Sequence, residues 1–176
     1  SVLTKNRPTY YVVCNSDESE PGTFKDREIM EKNPFQLLEG IMIASFAARA
    51  YAAYNYMRGE FWPVAAELEK KIAELRARGF LGQNLFGTSY SLDIHLHLGA
   101  GAYICGEESA LLESIEGKLG QPRLKPPFPA DKGLYQMPTV VNNTETLTNV
   151  PLIISRGAEW YQSIGVKNSA GPNVMC

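Results

Sequence analysis

Cysteine is scarce. Cys14, Cys105 and Cys176 are the whole complement, an odd number with no C-x-x-C pair. That argues against a secreted disulfide framework and fits free thiols in a reducing compartment. The three spacings make no zinc or iron–sulfur pattern by themselves. Long apolar runs are lacking too. The longest, Ile41 to Ala53, is interrupted by Arg49, well short of the roughly 20 residues that span a bilayer. There is no excess of positive charge. The formal net charge is −2, which argues against a general nucleic-acid binder, because phosphate binding needs a basic surface. No G-x-S-x-G elbow and no P-loop occur. Charges at the start (Lys5, Arg7) are not followed by an apolar stretch, unlike a signal peptide. The chain has neither an initiator Met nor a polar tail, and a fragment of a longer polypeptide is expected.

What remains is ordinary globular material, 44% hydrophobic and 20% charged over 176 residues, enough for one domain with a real core. Tyr10 to Cys14 reads as a short buried strand, β-branched and aromatic. A polar loop follows, with a Pro21-Gly22 turn. Lys25 to Lys32 reads as a helix. A second helix opens at Pro34, with Asn33 as its cap, and runs to about Ala53. Tyr54 to Arg58 is a strand candidate. Pro63 opens an amphipathic helix to about Arg78, closed by Gly79, with Val64, Leu68, Ile72 and Leu75 on one face. Ser91 to Leu98 alternates as a half-exposed strand, with His95 and His97 on the polar side as structural residues. Gly99 to Gly101 is a tight turn. A helix from Gly106 to about Glu116, an irregular stretch from Gly117 to Pro138, a strand at Thr139 to Val141 and a helix from Asn143 to Ser155 complete the pass. Strands alternating with helices imply an α/β domain with a mainly parallel sheet.

Three polar constellations fall at the ends of predicted strands, where open parallel sheets bind ligands. The first, Asn15 to Gly22, packs Asp17, Glu18 and Glu20 into four positions. Crowded carboxylates repel one another, so packing does not explain the choice. They suit the hydroxyls of a ribose or ribityl chain, which donate what carboxylates accept; a metal site or a solvated acidic loop are the alternatives. The second runs from Gly99 to Ser109. It departs from the dinucleotide fingerprint because Ile104 stands where the third glycine belongs. Gly99 and Gly101 are nevertheless expected to let a flat ligand approach the backbone. The helix start after Gly106 is expected to offer free N–H groups to an anion or a flavin oxygen. The third, Asn142-Asn143-Thr144-Glu145-Thr146, either caps a helix or contacts a phosphate or ring edge. Between the last two, Arg123 to Pro129 is a proline-stiffened loop. Its two cations and Phe128 suit an adenine and a phosphate, unless it is only a rigid crossover.

In order, Cys14–Arg27, Gly99–Glu108, Arg123–Pro129 and Val141–Thr146 resemble the motifs of one family. It is the flavin-binding subunit of NADH:quinone oxidoreductase, or respiratory complex I, whose kin serve NAD-linked hydrogenases and formate dehydrogenases. The resemblance runs from about Tyr10 to Trp160. It implies an α/β, Rossmann-like three-layer domain, its mainly parallel sheet flanked by helices, that holds FMN, on which NADH stacks and to which it delivers a hydride, with electrons then leaving singly for iron–sulfur clusters and quinone. It implies that Asn15, Asp17 and Glu18 line the FMN site, with Gly106, Glu107 and Glu108 beside the flavin and nucleotide and Tyr103 packed nearby. Asn142, Asn143 and Thr146 would hold the FMN phosphate end. Glu20, Lys125 and Phe128 would meet NADH, with Phe128 near the adenine. A carboxylate such as Glu108 near the adenosine ribose would disfavour NADPH.

The resemblance further implies that residues 1–165 are an FMN/NADH domain without the family's upstream glycine-rich loop. Residues 166–176 would be a linker towards a ubiquitin-like domain and a domain carrying a 4Fe–4S cluster, both absent here. Its expected partners are NAD(H), a thioredoxin-like 2Fe–2S subunit and an iron–sulfur subunit, with no nucleic acid and no membrane insertion. The implied place is the peripheral arm of a membrane-bound complex, in the bacterial cytoplasm or the mitochondrial matrix. Two other readings compete: a divalent-metal hydrolase using Asp17, Glu18, Glu20 and Glu107, and a scaffold fragment that only packs against partners.

Overall fold

The computed structural model describes residues 10–166, 168–172 and 174. Four parallel strands form its centre: β1 (Tyr11–Ser16), β2 (Ala52–Met57), β3 (Asp93–Leu98) and β4 (Thr139–Asn143), in the order β3-β2-β1-β4. Between β1 and β2 lie α1 (Lys25–Lys32) and α2 (Pro34–Ala48); α3 (Trp62–Ala77) joins β2 to β3. The connection from β3 to β4 carries α4 (Glu108–Ile115) and a short α5 (Pro129–Lys132). After β4 come α6 (Thr144–Arg156), α7 (Ala158–Ser163) and a small antiparallel pair, β5 (Gly165–Val166) and β6 (Ser169–Ala170).

Strand alternation sorts the core onto two faces. Val12, Cys14, Ala53, Met57 and Ile94 point to the side of α1, α2, α3 and α6, where Leu37, Leu38, Ile41, Leu68, Ile72 and Leu147 meet them. Val13 and Tyr56 point the other way, to Leu111, Leu112 and Ile115 of α4. The expected three-layer parallel α/β domain is therefore present. β3 lies at the sheet's edge, and its alternation gives the expected half-exposed strand: Ile94 is buried and His95 exposed. The two histidines stack on the neighbouring strand, His95 on Tyr54 and His97 on Tyr56, both at 5.3 Å between centroids. Burial pushes the His97 imidazole below its ordinary range.

Three local expectations are corrected. α2 stops at Ala48 rather than Ala53, because Arg49 adopts a left-handed conformation (φ 58°) and Ala50 N–H bonds back to Ser45. Ala52 and Ala53 then enter β2, where small side chains fit beneath the helix layer. Asn33 does not cap α2 with its side chain, which donates to Gln36 Oε1 at 2.7 Å. The irregular stretch 117–138 also contains α5 and a single turn of 3-10 helix at Leu134–Gln136. α2 and α6 approach so closely at Gly40 that a Cβ there would lie 1.9 Å from the carbonyl oxygen of Leu147.

Beneath the carboxyl ends of the strands lies a small polar network. Ser16 Oγ donates to Asn55 Oδ1 at 2.6 Å and lies 2.6 Å from Thr144 Oγ1. All three residues are fully buried, so the network ties β1, β2 and α6 together where unpaired polar atoms would be costly.

Candidate functional site

The chain moves outward one way from β1 to β2 and β3, then crosses back to place β4 on β1's other side. The crevice at such a switch point is where open α/β sheets take ligands. Here it is a cleft of about 470 Å³ lined by the loop after β1 (Asn15, Asp17, Glu18, Ser19, Glu20, Thr23), by Lys25 and Asp26 of α1, by Tyr103, Ile104, Gly106 and Glu107, and by Asn143. A larger groove of about 610 Å³, lined by Phe35, Met42, Phe46, Phe80, Phe86 and Tyr90 among others, lies apart from it. Its lining is almost wholly apolar, with no convergent polar groups, so the polar chemistry belongs to the cleft.

Asn15 fastens the cleft's three walls. Its amide donates to Gly106 O (2.9 Å), its side-chain oxygen accepts from Asp17 N–H (3.1 Å), and its carbonyl accepts from Asn143 Nδ2 (3.3 Å). Asp17 is buried and accepts from Ser19 Oγ through Oδ2 (3.1 Å), while its Oδ1 has no hydrogen-bond partner among the described residues. Burial pushes the Asp17 carboxyl up, opposed by Ser19 and Arg58. Glu18 is turned back: its oxygens accept the N–H groups of Asp26 (3.0 Å) and Arg27 (3.2 Å), so it caps α1 from eight residues away. Glu20 reaches across the mouth and accepts from the Tyr103 hydroxyl at 2.6 Å.

At the switch point Lys25 Nζ donates to Asp26 Oδ1 (2.6 Å) and Asn143 Oδ1 (3.1 Å), and lies 3.3 Å from Glu145. Burial opposes the Lys25 charge, but the bonds to Asp26 and Glu145 outweigh it and raise its pKa. Asn143 also donates to Asp26 Oδ2 (2.9 Å) and caps α6 by accepting from Glu145 N–H (2.9 Å).

The second constellation behaves differently from its sequence reading. The N–H groups at the start of α4 are not free: Glu107 Oε2 accepts from Ser109 N, Ala110 N and Ser109 Oγ at 2.9, 2.9 and 2.6 Å. Glu107 Oε1 accepts from Lys125 at 2.9 Å, and Lys125 also donates to Glu108 at 2.6 Å. Partial burial alone would raise the Glu107 pKa; the bonds from Lys125, Ser109 and the backbone hold it at about 2. Nor do Gly99 and Gly101 line the cleft. A Cβ at Gly99 would lie 2.3 Å from the Tyr56 hydroxyl, so that glycine admits a side chain of the fold itself.

Of the residues singled out from sequence, Asn15, Asp17, Glu18, Glu20, Tyr103, Gly106, Glu107 and Asn143 converge on one cleft. Glu108 and Lys125 join its rim through Glu107. Phe128 is 54% exposed at the start of α5. Asn142 sits in β4 opposite Cys14, and Thr146 is exposed on α6; neither lines the cleft. Ser19, Thr23, Lys25, Asp26 and Ile104 line it although the sequence reading did not single them out. The signal for Lys25 and Asp26 was present, since this pair opens a helix directly after the acidic loop.

Such a cleft, with a buried carboxylate oxygen unpartnered among the described residues and a lysine held by two carboxylates and one amide at a parallel-sheet switch point, defines an α/β domain whose strand-end site suits a hydroxyl-rich ligand. The family is equally clear: residues 2–152 match the Nuo51 FMN-binding domain, and the chain belongs to that family. It is 54% identical over 94% of its length to an NADH-quinone oxidoreductase subunit of Rhizobium meliloti. Identity is 56% over 94% to the corresponding NADH-quinone oxidoreductase subunit of Aquifex aeolicus, and 55% over 98% to the mitochondrial NADH dehydrogenase (ubiquinone) flavoprotein 1 of Dictyostelium discoideum. Among solved structures, an NAD+-reducing NiFe-hydrogenase in the air-oxidized state superposes with a TM-score of 0.87 and 40% identity, over 97% of this chain and 28% of that one. The chain spans 39% of the Rhizobium and Aquifex relatives and 36% of the Dictyostelium one.

These findings leave the metal-hydrolase reading without support. The relatives are oxidoreductases by name, and two of its four carboxylates, Glu18 and Glu107, close helix ends. Among the described residues no cluster of three or more His, Cys, Asp or Glu is arranged to hold a metal ion. Among them, too, no helix is long and apolar enough to cross a membrane.

Proposed function

We propose that this chain is the flavin-binding core of an NADH dehydrogenase module, holding FMN at the β1–β4 switch point and admitting NADH above it. The observation that carries the reading is Asp17. A buried carboxylate oxygen without a partner, in a family of FMN-binding domains, fits a donor brought by the ligand, and the ribityl hydroxyls of FMN are such donors. Bound FMN supplies the chemistry of taking a hydride and releasing its electrons singly.

The chain's own residues bind and orient. Asn15 and Asp17 receive the ribityl chain, while Glu18 holds their loop in shape. Asn142, Asn143 and Thr146 serve the phosphate end, with Lys25 as the nearby cation. Gly106, Glu107 and Tyr103 border the flavin. Glu20, Lys125 and Phe128 meet NADH, and the Glu108 carboxylate repels the extra phosphate of NADPH.

Residues 1–165 form this domain, and 166–176 lead towards further domains of the parent polypeptide; of that linker, residues 167, 173, 175 and 176 lie outside the described residues. NADH-quinone oxidoreductase relatives at 54–56% identity, against 40% for the hydrogenase, favour an NADH:quinone oxidoreductase as parent. In that parent the module would work beside a thioredoxin-like 2Fe–2S subunit and an iron–sulfur subunit, in the peripheral arm of a membrane-bound complex. The parent polypeptide's own 4Fe–4S cluster would lie outside this chain.

The test is titration of the purified chain with FMN, followed by flavin fluorescence, then NADH without oxygen. Quenching and subsequent bleaching of the flavin absorbance are expected. A folded chain with neither quenching nor any nucleotide-induced rise in melting temperature would instead support the scaffold reading.

A further inference from the structure

The loop that carries Lys125 and Phe128 has no helix or strand of its own between residues 119 and 128. Something must hold it, and the contacts gather on Arg123. Its backbone N–H donates to Ser109 Oγ at 2.9 Å. Its guanidinium bonds Glu113 through Nε, Gly133 O through Nη1 (2.8 Å) and Glu116 Oε1 through Nη2 (2.7 Å). Glu116 Oε1 also accepts from Tyr135 N–H at 2.7 Å. The side chains of Arg123, Glu113 and Glu116 are only 18%, 16% and 4% exposed, so this is a largely buried ion cluster, with Lys118 donating to the other Glu116 oxygen at 2.6 Å. One arginine thus joins the loop to α4 on one side and to the turn after α5 on the other.

The same contacts lead to the cleft. Ser109 Oγ, which receives Arg123 N–H, donates its own hydrogen to Glu107 Oε2 at 2.6 Å. Two residues beyond Arg123, Lys125 lands on Glu107 Oε1 and Glu108 Oε1. Arginine suits this task because its planar fork fixes several acceptors at once; lysine offers a single flexible point charge.

We infer that Arg123 is a positioning residue for the nucleotide half of the site: it sets the stiff loop so that Lys125 stands on the Glu107–Glu108 rim. The inference rests on the reading that the cleft takes FMN and NADH. It differs from that reading in assigning a role to a residue that touches neither ligand.

The test compares the wild-type chain with Arg123→Met and Arg123→Lys, each checked for folding by circular dichroism and thermal melting. The first readout needs no ligand: limited acetylation followed by mass spectrometry. Lys125 should acetylate about threefold or more faster in Arg123→Met, since its held hydrogen bonds loosen. The exposed Lys32 and Lys70 should not change. The second readout is the NADH affinity of the FMN-loaded chain from anaerobic bleaching. Arg123→Met should weaken it about tenfold, with FMN affinity within about twofold. In a Lys125→Met background it should add little, because Arg123 acts through Lys125. Unchanged Lys125 acetylation would overturn the inference, and so would losses that add in the double variant. Failure of NADH to bleach the wild type would count against the proposed function instead, and the acetylation result would still decide the role of Arg123.

Discussion

Removing the Glu107 carboxylate should destabilise the domain, and the size of the effect follows from its contacts. Its two oxygens accept four hydrogen bonds, two from the first turn of α4, one from Ser109 Oγ and one from Lys125. α4 supplies Leu111, Leu112 and Ile115 to the core on that face of the sheet. A lost N-cap side chain typically costs about 1 kcal/mol. The depression of the Glu107 pKa to about 2 corresponds at full weight to roughly 3 kcal/mol. The side chain is 31% exposed, so solvent screening brings the expected cost of Glu107→Ala to about 2 kcal/mol.

In a chain of 176 residues that lowers Tm by about 4–8 °C. Glu107→Gln keeps an acceptor but loses the charge, and should cost about half as much. The pH dependence has a definite sign. The folded pKa lies below the ordinary value of 4.5, so the contribution is complete above that pH and is lost as pH falls towards about 2. Melting curves of wild type and Glu107→Gln should therefore converge under acid. A gap between wild type and Glu107→Ala below about 1 °C at neutral pH would refute the capping argument. A gap between wild type and Glu107→Gln that stayed constant down to about pH 3 would refute the electrostatic part.

Other expectations follow from single contacts. Gly40→Ala forces a Cβ to within 1.9 Å of Leu147 O, so α2 and α6 must part; a loss of about 3 kcal/mol in urea unfolding is expected, despite alanine's better helix propensity. Wild-type stability in that variant would show that the helices can slide apart cheaply. Glu20→Gln should weaken nucleotide binding more than FMN binding, because Glu20 stands at the mouth against Tyr103; equal losses in parallel titrations would remove that assignment. Cys14 is fully buried and its thiol is pushed up to about 12 by that burial, so iodoacetamide should modify it only on unfolding. Labelling faster than global unfolding would contradict this.

Where local pattern and tertiary demand agreed, the elements were legible. α1 has the limits that its sequence suggested, Lys25–Lys32. α3 needed only Pro63, a periodic apolar face and the stop at Gly79. β3 showed itself as a half-exposed strand through alternating apolar residues and histidines. The acidic loop and the Asn142-Asn143 pair also stood out, because carboxylates crowded after a buried strand have no packing reason to be there. The end of α2 was different. Nothing local marks Arg49 as a left-handed terminus, and Ala50 to Ala53 suit a helix by propensity. Ala52 and Ala53 become strand instead, because α2 ends at the left-handed Arg49 and the chain then pairs with β1 and β3.

By itself, then, the order of residues determined the parallel α/β class, the placement of polar constellations at strand ends and the family resemblance, all of which depend on short-range pattern. Tertiary structure decided which polar groups remain available to a ligand. Glu18 and Glu107 look like Asp17 in sequence, yet each meets N–H groups of a helix start, while one oxygen of Asp17 finds no hydrogen-bond partner among the described residues. Arg123 and Lys125 look alike as cations, yet one is sealed among α4 carboxylates and the other stands at the rim. A side chain's partners are set by segments far away in sequence, and hydrogen-bond demand is met by whichever group the fold brings within about 3 Å.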